Sequence, residues 1–333
     1  MKILRLMMAG ALLLAGSGSA ALAQGGASPG AWPDRPITLV VPFAAGGPVD
    51  TIARVMAARM SELLGQQMVI ENVGGAGGMT GTTRVAKAAP DGYTVLLSGS
   101  AVLAQNPTFH KKSPYDPVAD FEHAALFSDS TRVLIARKDF PPNGFKEFMA
   151  YAKAHQKDLH YGTPGAGSGG HTCAILLDGA MGTKITHVPY RGAGPAMQDL
   201  IAGRIDYMAE QISTATPQIK GGTVKAYVTF GLERSPGLEQ IPTAEEMGMK
   251  GLDCGAWGAF SFPKGTPKPI VERLAKASSD AIDTPAVVER FKTMGVVVTA
   301  KDRRSPDYLT KFVKSEIERW AGPIKASGVT LDK

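Results

Sequence analysis

Two glycine-rich loops, each set between an apolar β-type run and a helix-type run, constrain this chain more than any other feature. The first is Pro42-Phe43-Ala44-Ala45-Gly46-Gly47-Pro48-Val49-Asp50. It follows Ile37–Val41 and opens into Thr51–Leu64, where Ile52, Val55, Met56, Met60, Leu63 and Leu64 recur at helical spacing. The second, Gly162-Thr163-Pro164-Gly165-Ala166-Gly167-Ser168-Gly169-Gly170-His171, follows Leu159–Tyr161 and opens into a segment ending near Met181. A strand–loop–helix unit bares backbone N–H groups at a helix N-terminus, where the helix dipole also favours negative charge. Glycine removes the Cβ that would keep a ligand from that backbone. Two such units facing each other across a cleft make a receptor for a small anion.

Residues 1–23 read as a secretory signal. Lys2 and Arg5 supply the positive start, Ile3 to Leu14 is apolar, and Ala21-Leu22-Ala23 fits a cleavage site after Ala23. A membrane anchor is the alternative, but the run is short and Gly/Ala-rich for ~30 Å of hydrocarbon. No cysteine follows it, so a lipoprotein anchor is excluded. A Gly/Pro/Ser-rich leader covers 24–31, and the mature product, expected in the periplasm, is long enough for two lobes. Loss of Lys2 and Arg5 lowers the formal charge from +6 to +4. The remaining basic residues are scattered, with none of the stripe that nucleic-acid binding needs. Cys173 and Cys254 would meet an oxidising compartment, where a bridge and two separate thiols are both open, separate thiols being commoner for so sparse a pair. No Cys/His spacing resembles a metal site.

Along the chain, β-type and helix-type segments alternate: Ile37–Val41, Thr51–Leu64, Met68–Glu71, Met79–Ala88, Thr94–Ser98. That is the pattern of a parallel α/β lobe. Asn106–Pro117 reads as loop. Ala124–Phe127 and Val133–Ala136 carry the chain into a second unit with a helix at Gly144–His155, the second glycine loop, a strand at Thr186–Pro189 and a helix at Pro195–Ala202. Strands at Lys225–Thr229 and Trp257–Phe262 and helices at Pro269–Ala281, Pro285–Met294 and Ser305–Ala321 complete the chain.

Enzymatic readings find little purchase. Gly165-x-Gly167-x-x-Gly170 matches the dinucleotide fingerprint literally, but Thr186–Pro189 ends without the acidic residue that would hold a ribose. No Gly-x-Ser-x-Gly elbow exists, since Ala166 stands two positions before Ser168. Ser168 and His171 are better read as a helix cap and a first-turn residue offering donors to a ligand. Asp50 reads as a dipole partner or cap, with ligand contact as the alternative. Glu210 follows the β-type run Ile205–Ala209, where an inward carboxylate enters the cleft and either takes a ligand ammonium or pairs with a nearby Lys or Arg. Phe43, inside the first loop, is placed to wall a pocket.

Further short motifs run in order through the chain. They include Trp32-Pro33, the stretch from Pro42 to Arg54, Glu71-Asn72 with Gly75-Ala76-Gly77-Gly78, and Pro90-Asp91-Gly92-Tyr93-Thr94. Asn106-Pro107, Tyr161-Gly162, Val188-Pro189-Tyr190-Arg191-Gly192, Asp199 through Asp206, and Glu318-Arg319-Trp320 follow. From Trp32 to Asp332 the chain thereby resembles the exported substrate-binding proteins of tripartite tricarboxylate transporters, the Bug receptors. The resemblance implies the type II periplasmic binding protein fold: two α/β lobes around a ligand cleft that closes like a Venus flytrap. Lobe I is expected at 32–127 and 230–333, and lobe II at 128–229. It further implies a solute-binding receptor without catalysis or cofactor, acting as a monomer. Its ligand would be a small organic carboxylate (a di- or tricarboxylate, an amino acid or an aromatic acid), delivered to membrane transporter subunits. A sensory receptor and an exported hydrolase are the alternatives.

The expected ligand residues are Phe43, Ala44, Ala45, Gly46 and Gly47 from the first loop and Thr163, Gly165, Ser168, Gly169 and His171 from the second. Ser98 and Ser100 join them at the end of the Val95–Leu97 strand, and Glu210 sets specificity. A Cβ at Gly46, as in Gly46→Val, is expected to block the ligand. Three departures from the family pattern suggest a reshaped pocket: Ala209-Glu210 in place of Phe-Asp, Phe230 in place of a small residue, and Val73-Gly74 before Gly75.

Overall fold

The structure, a computed structural model, describes residues 32–332, so the expected signal peptide and leader lie outside it. In the first lobe, β1 (Ile37–Val41), α1 (Pro48–Leu64), β2 (Met68–Asn72), α2 (Met79–Ala86), β3 (Thr94–Gly99) and β4 (Phe121–Ser130) follow one another. The second lobe holds β5 (Arg132–Arg137), α3 (Phe145–Ala154), β6 (His160–Thr163), α4 (Gly169–Met181) and β7 (Thr186–Pro189). It continues through α5 (Ala193–Ile201), β8 (Tyr207–Gln211), α6 (Ile212–Lys220) and β9 (Val224–Thr229). The chain then returns with β10 (Ala256–Pro263), α7 (Lys268–Ile282), α8 (Pro285–Thr293), β11 (Val297–Val298) and α9 (Pro306–Ala326).

Each lobe is a sheet covered by helices on both faces, the layering that parallel strands require because they bury both sides. The first sheet runs β11-β4-β10-β3-β1-β2 and the second β7-β6-β8-β5-β9. In the first lobe, Met56 and Met60 of α1, Leu274 of α7 and Phe291 of α8 pack on one face. Val85 of α2 and Leu309, Val313 and Trp320 of α9 pack on the other. In the second lobe, Phe148 of α3 and Leu177 of α4 oppose Leu200 of α5 and Ala215 of α6 across the sheet. The fully buried hydrophobic strand residues Leu39, Val41, Leu134 and Ile135 are the sequence signal of such double-sided burial.

The lobes are joined twice. The first crossing lies between Ser130 and Arg132, as β4 hands over to β5. The second sits later than expected. Phe230, Ala244, Leu252 and Cys254 share a core with β5, β6 and β8, while Leu238 and Ile241 pack with α5 and α6. The segment from 230 to 254 therefore packs with lobe II, and the return to lobe I falls next to Gly255. Its apolar residues are irregularly spaced between prolines, so periodicity carried no sign of which sheet they would cover.

Cys173 and Cys254 are bonded to each other across 81 residues of sequence. This resolves the two possibilities toward a bridge, which ties the first turns of α4 to the end of the second crossing segment. Closing a loop of that length removes chain entropy from the unfolded state. We expect replacement of both cysteines by serine to cost roughly 2–5 kcal/mol, read in urea unfolding as a lowered midpoint with a slope that rises as the unfolded chain expands.

Candidate functional site

In open α/β sheets, ligands bind beyond the carboxyl ends of the strands, where helix N-termini converge. Both lobes turn that edge toward the same cleft. At the end of β1, Gly47 is the extended N-cap of α1 and Pro48 its first residue. The loop before it is held by Asp50, whose Oδ2 accepts from Gly46 N (2.9 Å) and Arg54 Nε (3.0 Å), while Asn72 Nδ2 donates to Oδ1 (3.0 Å). Burial alone would raise the Asp50 carboxyl; Arg54, Gly46 and Asn72 together outweigh it and hold the group below its ordinary value. Asp50 thus builds the loop from behind, outside the pocket wall. At the end of β6, Ser168 caps α4, its Oγ accepting from His171 N (3.4 Å). At the end of β7, Ala193 opens α5.

A pocket forms where these ends meet, lined from lobe I by Phe43, Gly47, Ser98, Ser100 and Trp257 among others. From lobe II, Arg132, Ser168, Gly169, Ala193, Ala209 and Glu210 close it. Of the expected residues, the structure thereby brings Phe43, Gly47, Ser98, Ser100, Ser168, Gly169 and Glu210 together. The other six lie outside the pocket wall. Ala44 N instead donates to Arg191 O across the cleft mouth (3.3 Å), and a Cβ on Gly194 would lie 2.9 Å from Ala45 O. Gly46 stands in the left-handed region (φ +79°) with open space where a Cβ would go, so the backbone by itself accounts for its glycine. Thr163 Oγ1 accepts from Gly165 N (3.2 Å) and meets His187 Nε2 (2.6 Å), locking the loop from behind.

Gly165 presses on Gly77 of lobe I: a Cβ there would lie 3.0 Å from Gly77 N. His171 points away from the pocket, on the far face of α4. Its Nδ1 accepts from Gly167 N (3.1 Å), and its ring stacks on His187 at 4.2 Å. Burial, reinforced by His187, pushes the His171 imidazole down to about 3, so the ring is neutral, accepts at Nδ1 and brings no positive charge toward the pocket. Of the three departures, Ala209-Glu210 lines the pocket, Phe230 is fully buried in the second core, and Gly74 faces Arg191 O at the mouth.

Sequence reasoning missed Arg132. It begins β5, where a basic residue after Ser-Thr reads as an exposed strand start, yet it is only 3% exposed. Its position is set by a backbone triangle: Phe230 N donates to Arg132 O (2.8 Å), Cys254 N to Phe230 O (3.0 Å), and Arg132 Nη1 to Cys254 O (2.6 Å). Burial brings its guanidinium down to about 10 against the fields of Glu210 and Asp253, so it is cationic at neutral pH. Burial also pushes the Glu210 carboxyl up to about 7, against the hydrogen bond from Thr214 and the charge of Arg132. Among the described residues, no group of three or more His, Cys, Asp or Glu side chains could hold a metal.

The cleft mouth is closed by backbone against backbone. A Cβ on Gly77 would lie 2.2 Å from Ala166 O, and one on Gly74 2.7 Å from Arg191 O. Asn106 Nδ2 donates to Ala76 O and Gly77 O (both 3.1 Å), fixing the lobe I side of this contact. The bare glycine edges of both lobes are thus needed for the lobes to meet.

A family profile described as the tripartite tricarboxylate transporter family receptor matches residues 52–329. A protein of Agrobacterium vitis from the TAR-I ttuE–ttuC' intergenic region is 43% identical over 297 residues, 89% of this chain and 86% of its own. The solved structure of the periplasmic binding protein BugD is 41% identical with a TM-score of 0.87, covering 90% of this chain and 99% of that one. MatC of Rhodopseudomonas palustris, solved with bound malate, is 41% identical with a TM-score of 0.86, covering 88% and 100%. The two-lobe fold is common to all of them that have been solved. Among the described residues, no helix is long and apolar enough to cross a membrane.

Two outcomes follow from this geometry. Gly169→Val puts a Cβ 2.0 Å from Arg132 Nη2 and 2.7 Å from its Cζ; we expect ligand affinity to fall at least ~30-fold, with overpacking costing ~1–3 kcal/mol. Gly46→Ala should instead cost ~1–2 kcal/mol of backbone strain and leave affinity within about threefold, in titrations run side by side. The Glu210 carboxyl titrates higher in the folded chain (about 7) than unfolded, so the folded state holds the proton longer and this group's contribution to stability falls as pH rises from ~4.5 through 7. Glu210→Gln should therefore match the parent near pH 4.5 and exceed it by ~1–3 kcal/mol at pH 8 without ligand, in urea unfolding at both pH values.

Proposed function

The chain belongs to the tripartite tricarboxylate transporter receptor family, and from that premise we propose that it captures a small organic carboxylate between its lobes and delivers it to membrane subunits of such a transporter. The observation that carries this reading is the pocket itself. It takes walls from both lobes, gathers the N-termini of α1, α4 and α5, and holds one buried guanidinium. Backbone N–H groups, helix dipoles and an arginine fork all favour a carboxylate over a neutral group. Ser98 and Ser100 add buried hydroxyl side chains to the lobe I wall. The malate bound by MatC, a relative of similar length, supports the ligand class.

Because the pocket draws on both lobes, a ligand in it contacts groups that separate when the cleft opens, and so favours the closed form. A transporter that recognises only the closed arrangement then receives loaded receptors. Export behind a signal peptide cleaved after Ala23 completes the reading, since the partner is a membrane complex reached from the periplasm.

The test is a thermal-shift screen of the mature protein, refolded to strip carried-over ligand, against small carboxylates and their matched amides. A ligand at ~100 times its dissociation constant adds ~2.7 kcal/mol and raises the melting temperature. We expect a carboxylate to shift the transition while its amide does not. An amide that works as well as its acid would remove the anion from the account.

A further inference from the structure

We propose that this pocket selects a zwitterion: an amino-substituted carboxylic acid whose carboxylate lies on Arg132 and whose ammonium lies on Glu210. The inference rests on the carboxylate-receptor reading and narrows it. Among the described residues, Arg132 and Glu210 are the only ionisable side chains in the pocket wall. Each is buried, at 3% and 1% exposure, and each is left half satisfied by the protein. Arg132 Nη1 donates to Cys254 O, while among the described residues Nε and Nη2 have no partner. The free edge lies against Gly169, the first residue of α4, where the positive end of the helix dipole adds to its pull on an anion. Gln105 from lobe I comes to the same place, its Oε1 3.1 Å from the position of a Gly169 Cβ and its buried amide without a partner among the described residues. Glu210 takes hydrogen bonds from Thr214 Oγ1 to Oε1 and from the backbone of Gln211, and neither of these donors carries a positive charge.

The two charges do not neutralise each other directly. No Arg132 nitrogen lies within 4.0 Å of a Glu210 oxygen, and the strand register explains why. Arg132 pairs with Gln211 and Val133 with Glu210, so the cation and the carboxylate rise on opposite faces of the β5–β8 ladder. A ligand lying over the end of that ladder reaches one with each end.

Charge balance then chooses among acids. A buried charge without a partner is costly, and removing one member of a buried pair leaves the other exposed to that cost. A dicarboxylate answers Arg132 but sets a second negative charge near Glu210. A simple monocarboxylate leaves Glu210 without a cation. An amino acid closes both positions and leaves the site neutral. Burial pushes the Glu210 carboxyl up to about 7, and an ammonium beside it would bring it down again.

Isothermal titration of the mature, refolded protein decides the matter. The panel pairs amino acids with their N-acetyl and des-amino forms and with dicarboxylates of equal length. We expect an amino acid to bind and both derivatives to bind at least ~30-fold more weakly. Glu210→Gln, shown folded by circular dichroism, should weaken the amino acid ~30-fold or more and spare its des-amino form, and Arg132→Gln should weaken both. The proposal is overturned if a dicarboxylate or des-amino acid binds as well as the amino acid, or if Glu210→Gln leaves amino-acid affinity within about threefold. If no acid of any kind binds the folded protein, the carboxylate-receptor reading falls with it; if only plain acids bind, that reading stands and the zwitterion alone is lost.

Discussion

A guanidinium withdrawn from water must be held by its surroundings, and the burial of Arg132 organises much of this molecule. Its carbonyl takes Phe230 N and its Nη1 reaches Cys254 O, so the second crossing segment is stitched to β5 by the same residue that faces the pocket. Its free edge needs an N-terminal helix residue without a Cβ, which Gly169 provides. The disulfide from Cys254 to Cys173 closes the circuit, since Cys173 stands four residues into the helix on which the guanidinium rests. Ligand site, crossing segment and covalent bond are therefore one construction. Removing the arginine would leave a cavity, an orphaned carbonyl and an uncompensated Glu210, three of the costliest defects a core can carry.

The chemistry of the site departs from a purely backbone-lined cradle. Helix N-termini bind anions with little regard for what else the ligand carries. A buried cation and a buried carboxylate on opposite faces of one strand ladder add a reading of charge at two points. Apolar walls such as Phe43 and Trp257 keep water from screening that reading. Discrimination then comes as much from what is left unpaired by the wrong ligand as from what the right one gains.

Much of the architecture was legible because it is local. The loop before α1 shows its glycines, its proline at the first helical turn and its apolar period in sequence, and the structure places each accordingly. Helix α6 was not legible: Thr214, Thr216 and Pro217 are poor helix formers, and packing against β5, β8 and β9 holds them. Site residues divided the same way. Gly47, Ser168 and Gly169 follow from loop geometry, whereas the direction of His171 depended on Gly167 and His187 behind the helix. Arg132 had no signal in its own neighbourhood, because what buries it arrives from Phe230, Cys254 and Gly169. Glu210 was visible as a carboxylate at a strand end, but the cation facing the same pocket was not.

The two crossings, at residues 130–132 and at Gly255, flank Ser130, Arg132 and Trp257 in the pocket wall. The glycine edges at the mouth, at Ala44, Gly77, Gly165 and Arg191, are a second set of contacts between the lobes, made by protein alone. A ligand in the pocket adds its own bridge between the lobes and favours closure by that bridge, whereas the mouth contacts set the resting balance between open and closed forms whatever the ligand. Affinity is then tunable at the mouth without altering a single group that touches the ligand.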